Sequence, residues 1–246
     1  MIIACIGDVH GNLPALEAVL SHAQDHGALA IWNIGDFVGY GPFPDEVVQR
    51  LRDEGALSIR GNYDRKTLQV LEKQKKWLKT KSPEKLLAFQ WAYEHLSPQS
   101  REYLAALPEQ IRLFMKGWNV LLVHGSPADP DEHLSPSTPE SRFNDLNKVA
   151  QADLVICGHS HRSFLRQVGS TWYINTGAVG RPDDGDPRAE YALLRLEPGS
   201  RQVAHYRVEY DVDRVVMEIR RCQLPETFAQ MFSLGRDYGW FKKQDP

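Results

Sequence analysis

The sequence is poor in cysteine, and the three cysteines stand far apart, at Cys5, Cys157 and Cys222. An odd and widely spaced set does not indicate a disulfide framework. Cys5 and Cys157 lie within apolar runs, so we expect them to be small core residues. No arrangement of the cysteines predicts a structural zinc site built on thiolates.

Long apolar runs are also missing. No run approaches the roughly 20 residues that a helix needs to cross a bilayer. No positively charged segment precedes the short apolar run at the N-terminus, so a signal peptide is not expected. We therefore predict a cytoplasmic protein without a membrane partner.

The sequence also lacks an excess of charge of either sign. Its 29 Lys and Arg residues nearly balance 32 Asp and Glu, for a formal charge of −3. Overall charge thus gives no indication of nucleic acid or of an anionic membrane as a partner. With 246 residues, 42% of them hydrophobic, the chain has the composition of an ordinary globular protein.

Short apolar segments alternate with helical patterns in the N-terminal part of the chain. The order β-α-β-α-β predicts a largely parallel sheet covered by helices. Later segments predict two more strands, a helix, a hairpin, two further strands and two C-terminal helices. The predicted elements, in chain order and apart from residues 65–110, are strand 1–12 with its polar end, helix 13–20, strand 31–36, helix 44–52, strand 57–62, strand 119–125, helix 140–150, strand 153–161, hairpin strands 164–168 and 171–175, and strands 191–196 and 202–209.

Residues 65 to about 110 interrupt this alternation. Helix-forming residues predict helices over 65–80 and 83–95 and a short third helix after Pro98. We expect a single domain over residues 1–246, with a helical insertion at about 65–110 and a C-terminal strand-helix extension at about 200–246. Lysines around Trp77 are compatible with nucleic-acid binding, but a solvated helix face with one docking tryptophan is the preferred explanation, because runs of charge usually mean exposure.

The first strand ends in Gly7-Asp8-Val9-His10-Gly11-Asn12. On extended backbone, side chains two residues apart point to the same side, so Asp8 and His10 are expected to reach one point in space. Carboxylate oxygen and imidazole nitrogen both suit divalent transition metals. By itself the segment is equally compatible with a strand followed by a turn in which Asp8 bonds nearby amides.

Five predicted strands end in a glycine beside a polar residue that can bind a metal. In open α/β sheets ligands bind beyond the carboxyl ends of the strands, so these side chains are expected to converge. Seven groups suit two ions that share one carboxylate, and the nitrogen-rich set favours manganese, iron, nickel, zinc or cobalt. The seven predicted ligands are Asp8, His10, Asp36, Asn62, His124, His159 and His161.

Two such ions about 3.5–4 Å apart suit hydrolysis of phosphoesters. They can polarise two phosphoryl oxygens while a bridging water, or hydroxide, of lowered pKa attacks in line. A divalent metal pair of this kind is thus the predicted cofactor, and a small phosphoester the predicted substrate.

The set of strand ends resembles the calcineurin-like metallophosphoesterase superfamily, and within it the small bacterial phosphodiesterases. The motifs that carry the resemblance are 7–10, 35–36, 61–64, 124–125, 158–161 and 175–180. The resemblance implies a four-layer α-β-β-α sandwich. It also implies that Asp36 bridges the metals, that Asp8, His10 and His161 complete the first site, and that Asn62, His124 and His159 complete the second.

The third motif departs from the family pattern Gly-Asn-His-Asp, because Tyr63 replaces the histidine that contacts phosphate and can protonate the leaving group. A phenol is a poor proton source at neutral pH. Tyr63 either orients a phosphoryl oxygen or only packs against the wall of the site. Asp64, which would orient that histidine, is expected to pair with a cation such as Arg65. The predicted catalytic set is Asp36, Asn62, Tyr63, Asp64 and His124.

Other side chains are candidates for substrate binding. Arg181 and Arg188 could clamp a second phosphate, although a salt-bridged surface loop is an equally good explanation. Tyr40 could line the pocket or only pack its loop, and Arg65 is a further candidate. Among the remaining histidines, His133 stands out because its loop follows His124.

The function hypothesis from the sequence is a dinuclear-metal phosphohydrolase that acts on phosphodiesters. One alternative is a phosphomonoesterase or protein phosphatase that uses the same site. Another is a non-catalytic scaffold that keeps the fold and binds metal without turnover. The complete set of seven predicted ligands favours the enzyme.

Overall fold

The computed structural model describes residues 1–243. These residues contain ten strands: β1 (Ile2–Ile6), β2 (Ala30–Asn33), β3 (Leu57–Ser58), β4 (Gln110–Met115), β5 (Trp118–Val123), β6 (Leu154–Cys157), β7 (Phe164–Val168), β8 (Thr171–Asn175), β9 (Ala189–Glu197) and β10 (Ser200–Val208). They also contain ten helices: α1 (Leu13–Asp25), α2 (Pro44–Asp53), α3 (Asn62–Leu68), α4 (Val70–Trp77), α5 (Pro83–His95), α6 (Pro98–Ala106), α7 (Glu140–Ala150), α8 (Val212–Arg221), α9 (Glu226–Leu234) and α10 (Tyr238–Lys242).

The strands form two five-stranded sheets, in the orders β10-β9-β1-β2-β3 and β4-β5-β6-β8-β7. In the first sheet β1, β2 and β3 are parallel, as their alternation with α1 and α2 predicts, whereas β9 and β10 add antiparallel partners. In the second sheet β5, β6 and β8 are parallel and the two edge strands are antiparallel. Both sheets are therefore mixed.

Each central strand is buried on both of its faces. In β1, Ile3 and Cys5 pack between the two sheets, while Ala4 and Ile6 pack against the helix layer of the first sheet. The second sheet is covered in the same way by α7, through Phe143. Burial on both faces explains why these strands are continuous apolar runs without alternation. The predicted four-layer α-β-β-α sandwich is confirmed.

Residues 62–106 form the helices α3 to α6. The predicted helix over 65–80 is divided at Gln69, whose backbone is not helical, and its first part begins three residues earlier than predicted, at Asn62. Trp77 is 8% exposed and packs against Phe89, with ring centroids 5.6 Å apart. The tryptophan therefore docks these helices to one another.

Strand β4 and helix α10 were not among the predicted elements. In β4, Ile111, Leu113 and Met115 alternate with polar or exposed residues and pack against the core between the sheets. This period of two is the signal from which the strand could have been found. Helix α10 is a single short turn of five residues that follows α9.

The cysteines Cys5, Cys157 and Cys222 are all free, and the first two are buried in the core. Burial raises the pKa of both of these thiols. Within residues 1–243, every helix is too short or too polar to cross a membrane.

The core between the sheets can be tested at Leu122, which is fully buried in β5. We expect Leu122→Ala to lower the free energy of unfolding by about 2–5 kcal/mol, because it removes buried methyl groups and leaves a cavity. The matched control is Leu165→Ala in β7, where the leucine is 45% exposed and the loss should stay within about 0.5 kcal/mol. Urea denaturation measures both, and equal losses would contradict the assignment.

Candidate metal centre

Two groups of side chains converge where the strands of the two sheets end. The first group is Asp8, His10 and His161, and within it one ligand atom from each residue lies within 4.8 Å of the others. The second group, which meets the same distance limit, is Asp36, His124 and His159. Five of these six side chains are at most 5% exposed, and His159 is partly buried. Six of the seven predicted ligands are thus brought together in two groups of three.

The backbone at this edge turns sharply. Asp8 and His10 have φ angles of 53° and 50°, and Asp36, His159 and His161 also lie in the left-handed region. Asp8 and His10 do converge, as expected, but not on extended backbone, because β1 ends at Ile6 and both residues have left-handed φ angles. Left-handed conformations in residues other than glycine are strained and cluster at functional sites. Here five of the six residues of the two groups adopt them.

Backbone hydrogen bonds fix these turns to one another. The N–H groups of Asp8 and His10 donate to the carbonyls of Gly35 and Asp36, both at 3.0 Å. The segments that follow β2 and β3 also approach closely. A Cβ at Gly61 would lie 2.2 Å from the backbone nitrogen of Asp36. Glycine is required at position 61 for this close contact.

Carbonyl groups orient the histidine rings. The Nδ1 atoms of three histidines lie near carbonyl oxygens: His10 near Val38 at 3.3 Å, His124 near Ile34 at 2.9 Å, and His161 near Arg181 at 2.7 Å. In these rings Nε2 is left to face the centre of the site. In His159 it is Nε2 that lies 3.1 Å from the carbonyl oxygen of Asp131, so Nδ1 is the ring nitrogen that remains available to a metal. Metal-binding histidines are typically oriented in this way.

Asp36 lies between the two groups. Its Oδ2 is 3.7 Å from Nε2 of His10 and 3.4 Å from Nε2 of His124. Its other oxygen, Oδ1, accepts a hydrogen bond from the backbone N–H of Tyr63 at 2.7 Å. One carboxylate oxygen is thus held by the protein while the other faces a histidine of each group.

Several buried polar atoms of the site have no hydrogen-bond partner among the described residues. They are Oδ1 of Asp8, Oδ1 of Asn62 and Nε2 of His124. Such atoms are costly unless something else satisfies them. A set of imidazole nitrogens and carboxylate oxygens without thiolate suits divalent transition metals. The donor set therefore fits a pair of these ions.

The ionisation of the side chains is also compatible with metal binding. Burial, aided by nearby cationic groups, lowers the pKa of His10 to about 3 and that of His159 to about 4. Burial would raise the pKa of Asp8, but the neighbouring histidines, His161 foremost, hold it below its usual range. Burial opposes protonation of His124, yet the adjacent Asp36 carboxylate raises its pKa to about 9. A metal ion must displace that proton to bind.

Asn62, the seventh predicted ligand, begins α3 and borders the second group. Its amide nitrogen donates to Oδ1 of Asp131 at 2.7 Å, which leaves the buried Oδ1 of Asn62 free. Asp131 also accepts hydrogen bonds from Arg65 and Lys66 at 2.5 and 2.9 Å. Asp131 thus orients both Asn62 and His159. Sequence reasoning missed it, because nothing distinguishes it from the other acids of its loop.

Asp64 does not pair with Arg65, and that expectation is wrong. The Asp64 carboxylate is fully buried and accepts hydrogen bonds from the backbone N–H groups of Gly61 and Asp36, both at 2.9 Å. Burial, reinforced by the nearby Asp36, raises its pKa to about 7. Arg65 is the next residue of the same helix and points away, to Asp131 at the surface.

Tyr63 and Tyr40 form a pair beside the first group. The Tyr63 hydroxyl donates to the Tyr40 hydroxyl at 3.1 Å, and the ring of Tyr63 lies edge-on to His10, with centroids 5.0 Å apart. Burial raises the pKa of both phenols. The Tyr63 ring packs on Gly39, where a Cβ would lie 2.5 Å from it. The Tyr63 proton is therefore already engaged by Tyr40.

A cavity of about 560 Å³ opens from the metal-binding groups. Arg181 and Tyr40 line it, as does His133, whose ring centroid is 4.1 Å from that of His159. Arg188 is not among the lining residues, and it pairs with Asp186 at 2.6 Å in the salt-bridged surface loop. Arg65 also lies outside the lining and pairs with Asp131.

Comparisons with known proteins agree with this geometry. A family model described as the calcineurin-like phosphoesterase superfamily domain matches residues 1–199. An uncharacterized protein of Methanocaldococcus jannaschii is 31% identical over 96% of this chain and 98% of its own length. The phosphodiesterase YfcE of Escherichia coli is 27% identical over 76% of this chain and 83% of its own. A crystal structure of a metallophosphoesterase from Sphaerobacter thermophilus is 32% identical, covers 96% of this chain and 99% of its own, and superposes with a TM-score of 0.76.

The stoichiometry of bound metal tests the two groups. We expect protein loaded with manganese and then desalted to retain two ions per chain. His161→Ala should retain about one, because the first group loses a ligand that lies 3.2 Å from Asp8. The control is His26→Ala, an exposed histidine that directly follows α1. Elemental analysis measures the metal, and equal contents in the two variants would contradict the role of the first group.

Proposed function

Because the chain belongs to the calcineurin-like phosphoesterase superfamily, we propose that it is a metal-dependent phosphohydrolase that acts on phosphodiesters. The observation that carries this proposal is the position of Asp36 between two groups of metal-binding side chains. A carboxylate shared between two ligand sets suits a two-metal hydrolytic site.

The proposed ligands of the first ion are Asp8, His10 and His161, and those of the second are Asn62, His124 and His159, with Asp36 shared. Two such ions, when bound, polarise phosphoryl oxygens and lower the pKa of a water. The set suits manganese, iron, nickel, zinc or cobalt. The orphaned oxygens of Asp8 and Asn62 support their inclusion.

The chain itself positions these groups. The backbone N–H of Tyr63 holds Oδ1 of Asp36, and the Asp64 carboxylate ties Gly61 to Asp36 across two strand ends. We assign Asp64 a positioning role, since it reaches no open space. Rigid support of this kind keeps a substrate phosphoryl group aligned for attack.

Protonation of the leaving group is the weak step at this site. The Tyr63 hydroxyl donates to Tyr40 and has a raised pKa, so it is a poor general acid. Of the two interpretations of Tyr63, packing with a fixed hydroxyl is the one that these contacts support. Substrates with acidic leaving groups should therefore react fastest.

Diesters are proposed over monoesters because the relative YfcE is named a phosphodiesterase. A phosphomonoesterase or protein phosphatase with the same site is the alternative within the same chemistry. The scaffold alternative is disfavoured, because all seven predicted ligands lie at this edge of the sheets. The cavity of about 560 Å³ has the size of a small-molecule site.

Hydrolysis of bis(p-nitrophenyl) phosphate tests the activity. We expect turnover by manganese-loaded protein and its loss with EDTA. Asp36→Asn should lower kcat by at least about 100-fold, since removal of the shared charge weakens both ion sites. The control is Asp25→Asn at the exposed end of α1, which should retain the wild-type rate. No turnover with manganese, nickel, iron or cobalt would refute the proposal.

The departure at Tyr63 has its own test. We expect Tyr63→His to raise kcat on a diester with an alkyl leaving group by about tenfold or more, because a histidine there can supply general acid catalysis. The rate with nitrophenolate, which needs no proton, should change little. Tyr63→Phe serves as the control and should match wild type on both substrates. A large loss in Tyr63→Phe would instead assign the hydroxyl a chemical role.

A further inference from the structure

The cavity beside the metal-binding groups has a basic wall. Helices α3, α5 and α10, the turn between α4 and α5, and the loop that carries Arg181 contribute to it. Its five cationic side chains are Lys66, Lys81, Lys85, Arg181 and Lys242.

Three of the four carboxylates of the same cavity are already engaged. Asp36 belongs to the second metal-binding group, Asp131 pairs with Lys66, and Asp183 pairs with Arg162 at 3.1 Å. The fourth, Asp237, accepts the backbone N–H of Trp240 at 2.8 Å and remains a negative charge near Lys85. The wall therefore has cations that its own acids do not neutralise.

Lys81 and Lys85 are two of these cations. Within residues 1–243, neither ammonium group makes an ion pair or a side-chain hydrogen bond, whereas Lys66 does both. The Lys81 ammonium lies 5.0 Å from the ring centroid of Trp77 and 5.8 Å from that of Phe89. Burial and then the neighbouring cations lower the pKa of both lysines. Positive charges therefore lie close enough around this cavity to repel one another.

Arg181 is the third cation, and it is only 9% exposed. Its guanidinium lies 5.1 Å from the ring centroid of Tyr40, and its Nε has no hydrogen-bond partner among the described residues. The same residue's carbonyl faces Nδ1 of His161 at 2.7 Å, so Arg181 is held at the boundary between the first metal-binding group and the cavity. A buried guanidinium that lies over an aromatic ring but pairs with no carboxylate of the described residues is costly and indicates an anion that is bound in use.

We propose that Arg181, Lys81 and Lys85 bind a second phosphate group of the substrate. The proposed substrate class is a phosphodiester that carries this further phosphate on the part of the molecule that stays in the site when the leaving group departs. This inference rests on the proposed phosphodiesterase function. A phosphate dianion satisfies several cations at once, and the guanidinium fork matches its oxygens. Lys75, Lys76 and Lys79 are exposed on and just after α4 and do not line the cavity, so they take no part.

The test compares two chromogenic substrates with the same leaving group. One is thymidine 5′-(p-nitrophenyl phosphate), and the other is the same molecule with a 3′-phosphate. At about 0.15 M salt distant charges are largely screened, and we expect the 3′-phosphate to raise kcat/KM of the manganese-loaded wild type by about tenfold or more. In Lys81→Gln/Lys85→Gln the ratio of the two kcat/KM values should fall toward one. The control Lys75→Gln/Lys76→Gln removes the same charge outside the cavity and should keep the wild-type ratio.

Binding provides a readout without turnover. By calorimetry the manganese-loaded wild type should bind thymidine 3′,5′-bisphosphate about tenfold or more tightly than thymidine 5′-monophosphate. This difference in affinity should disappear in Lys81→Gln/Lys85→Gln and persist in Lys75→Gln/Lys76→Gln. Hydrolysis of both substrates at equal kcat/KM would overturn the second phosphate site and leave the phosphodiesterase intact. If neither substrate is hydrolysed, the phosphodiesterase proposal fails, and the second phosphate site is then judged from the two binding affinities. Equal affinities for the two nucleotides, or an equal loss of the affinity difference in both double variants, would overturn the second phosphate site.

Discussion

Two carboxylates, Asp8 and Asp36, are almost completely buried among imidazole rings, and the other features of the site depend on how their charge is balanced. Buried carboxylates are tolerated only beside positive charge or hydrogen-bond donors. Backbone N–H groups satisfy one oxygen of each: His159 donates to Asp8, and Tyr63 donates to Asp36. The other oxygen of each faces histidine nitrogens at distances that leave room for a cation. The same burial that destabilises the bare charges makes a divalent ion a strongly favourable partner.

That balance needs a rigid frame, and the two packed sheets supply it. The strands are buried on both faces, so their ends cannot shift without disturbing the core between the sheets. Left-handed turns at Asp8, His10 and Asp36 are strained, and cross-strand hydrogen bonds hold them in place. The buried carboxylate of Asp64 accepts hydrogen bonds from Gly61 and Asp36 and so ties them together, although burial and the nearby Asp36 charge raise its pKa. Stability of the frame is therefore the condition for the geometry of the site.

The cavity wall, which would face a substrate, differs in character from the metal-binding groups. The helices over residues 62–106 bring lysines and Phe89 to one wall of the cavity. Beside the first metal-binding group, the Tyr63–Tyr40 pair presents a hydrogen-bonded aromatic surface where the family pattern has a histidine. Such a wall favours recognition of the substrate over proton transfer. It fits an enzyme whose preference depends on the charge and acidity of what it binds.

The amino-acid sequence by itself determined the strand-helix alternation, the family and the seven candidate metal ligands, because glycine-polar pairs at successive strand ends are a local signal. It also correctly placed Trp77 as a docking residue. The tertiary structure alone decided which partners meet. His161 reaches Asp8 across 153 residues of chain, and Asp131 reaches Asn62 across 69. The periodicity of the sequence could not decide whether Asp64 faces inward to backbone amides or which lysines turn toward the cavity. It also could not decide that Asp186 neutralises Arg188 while no carboxylate of the described residues pairs with Arg181. Those outcomes depend on how helices pack against the sheets, and packing is set by contacts between segments far apart in the chain.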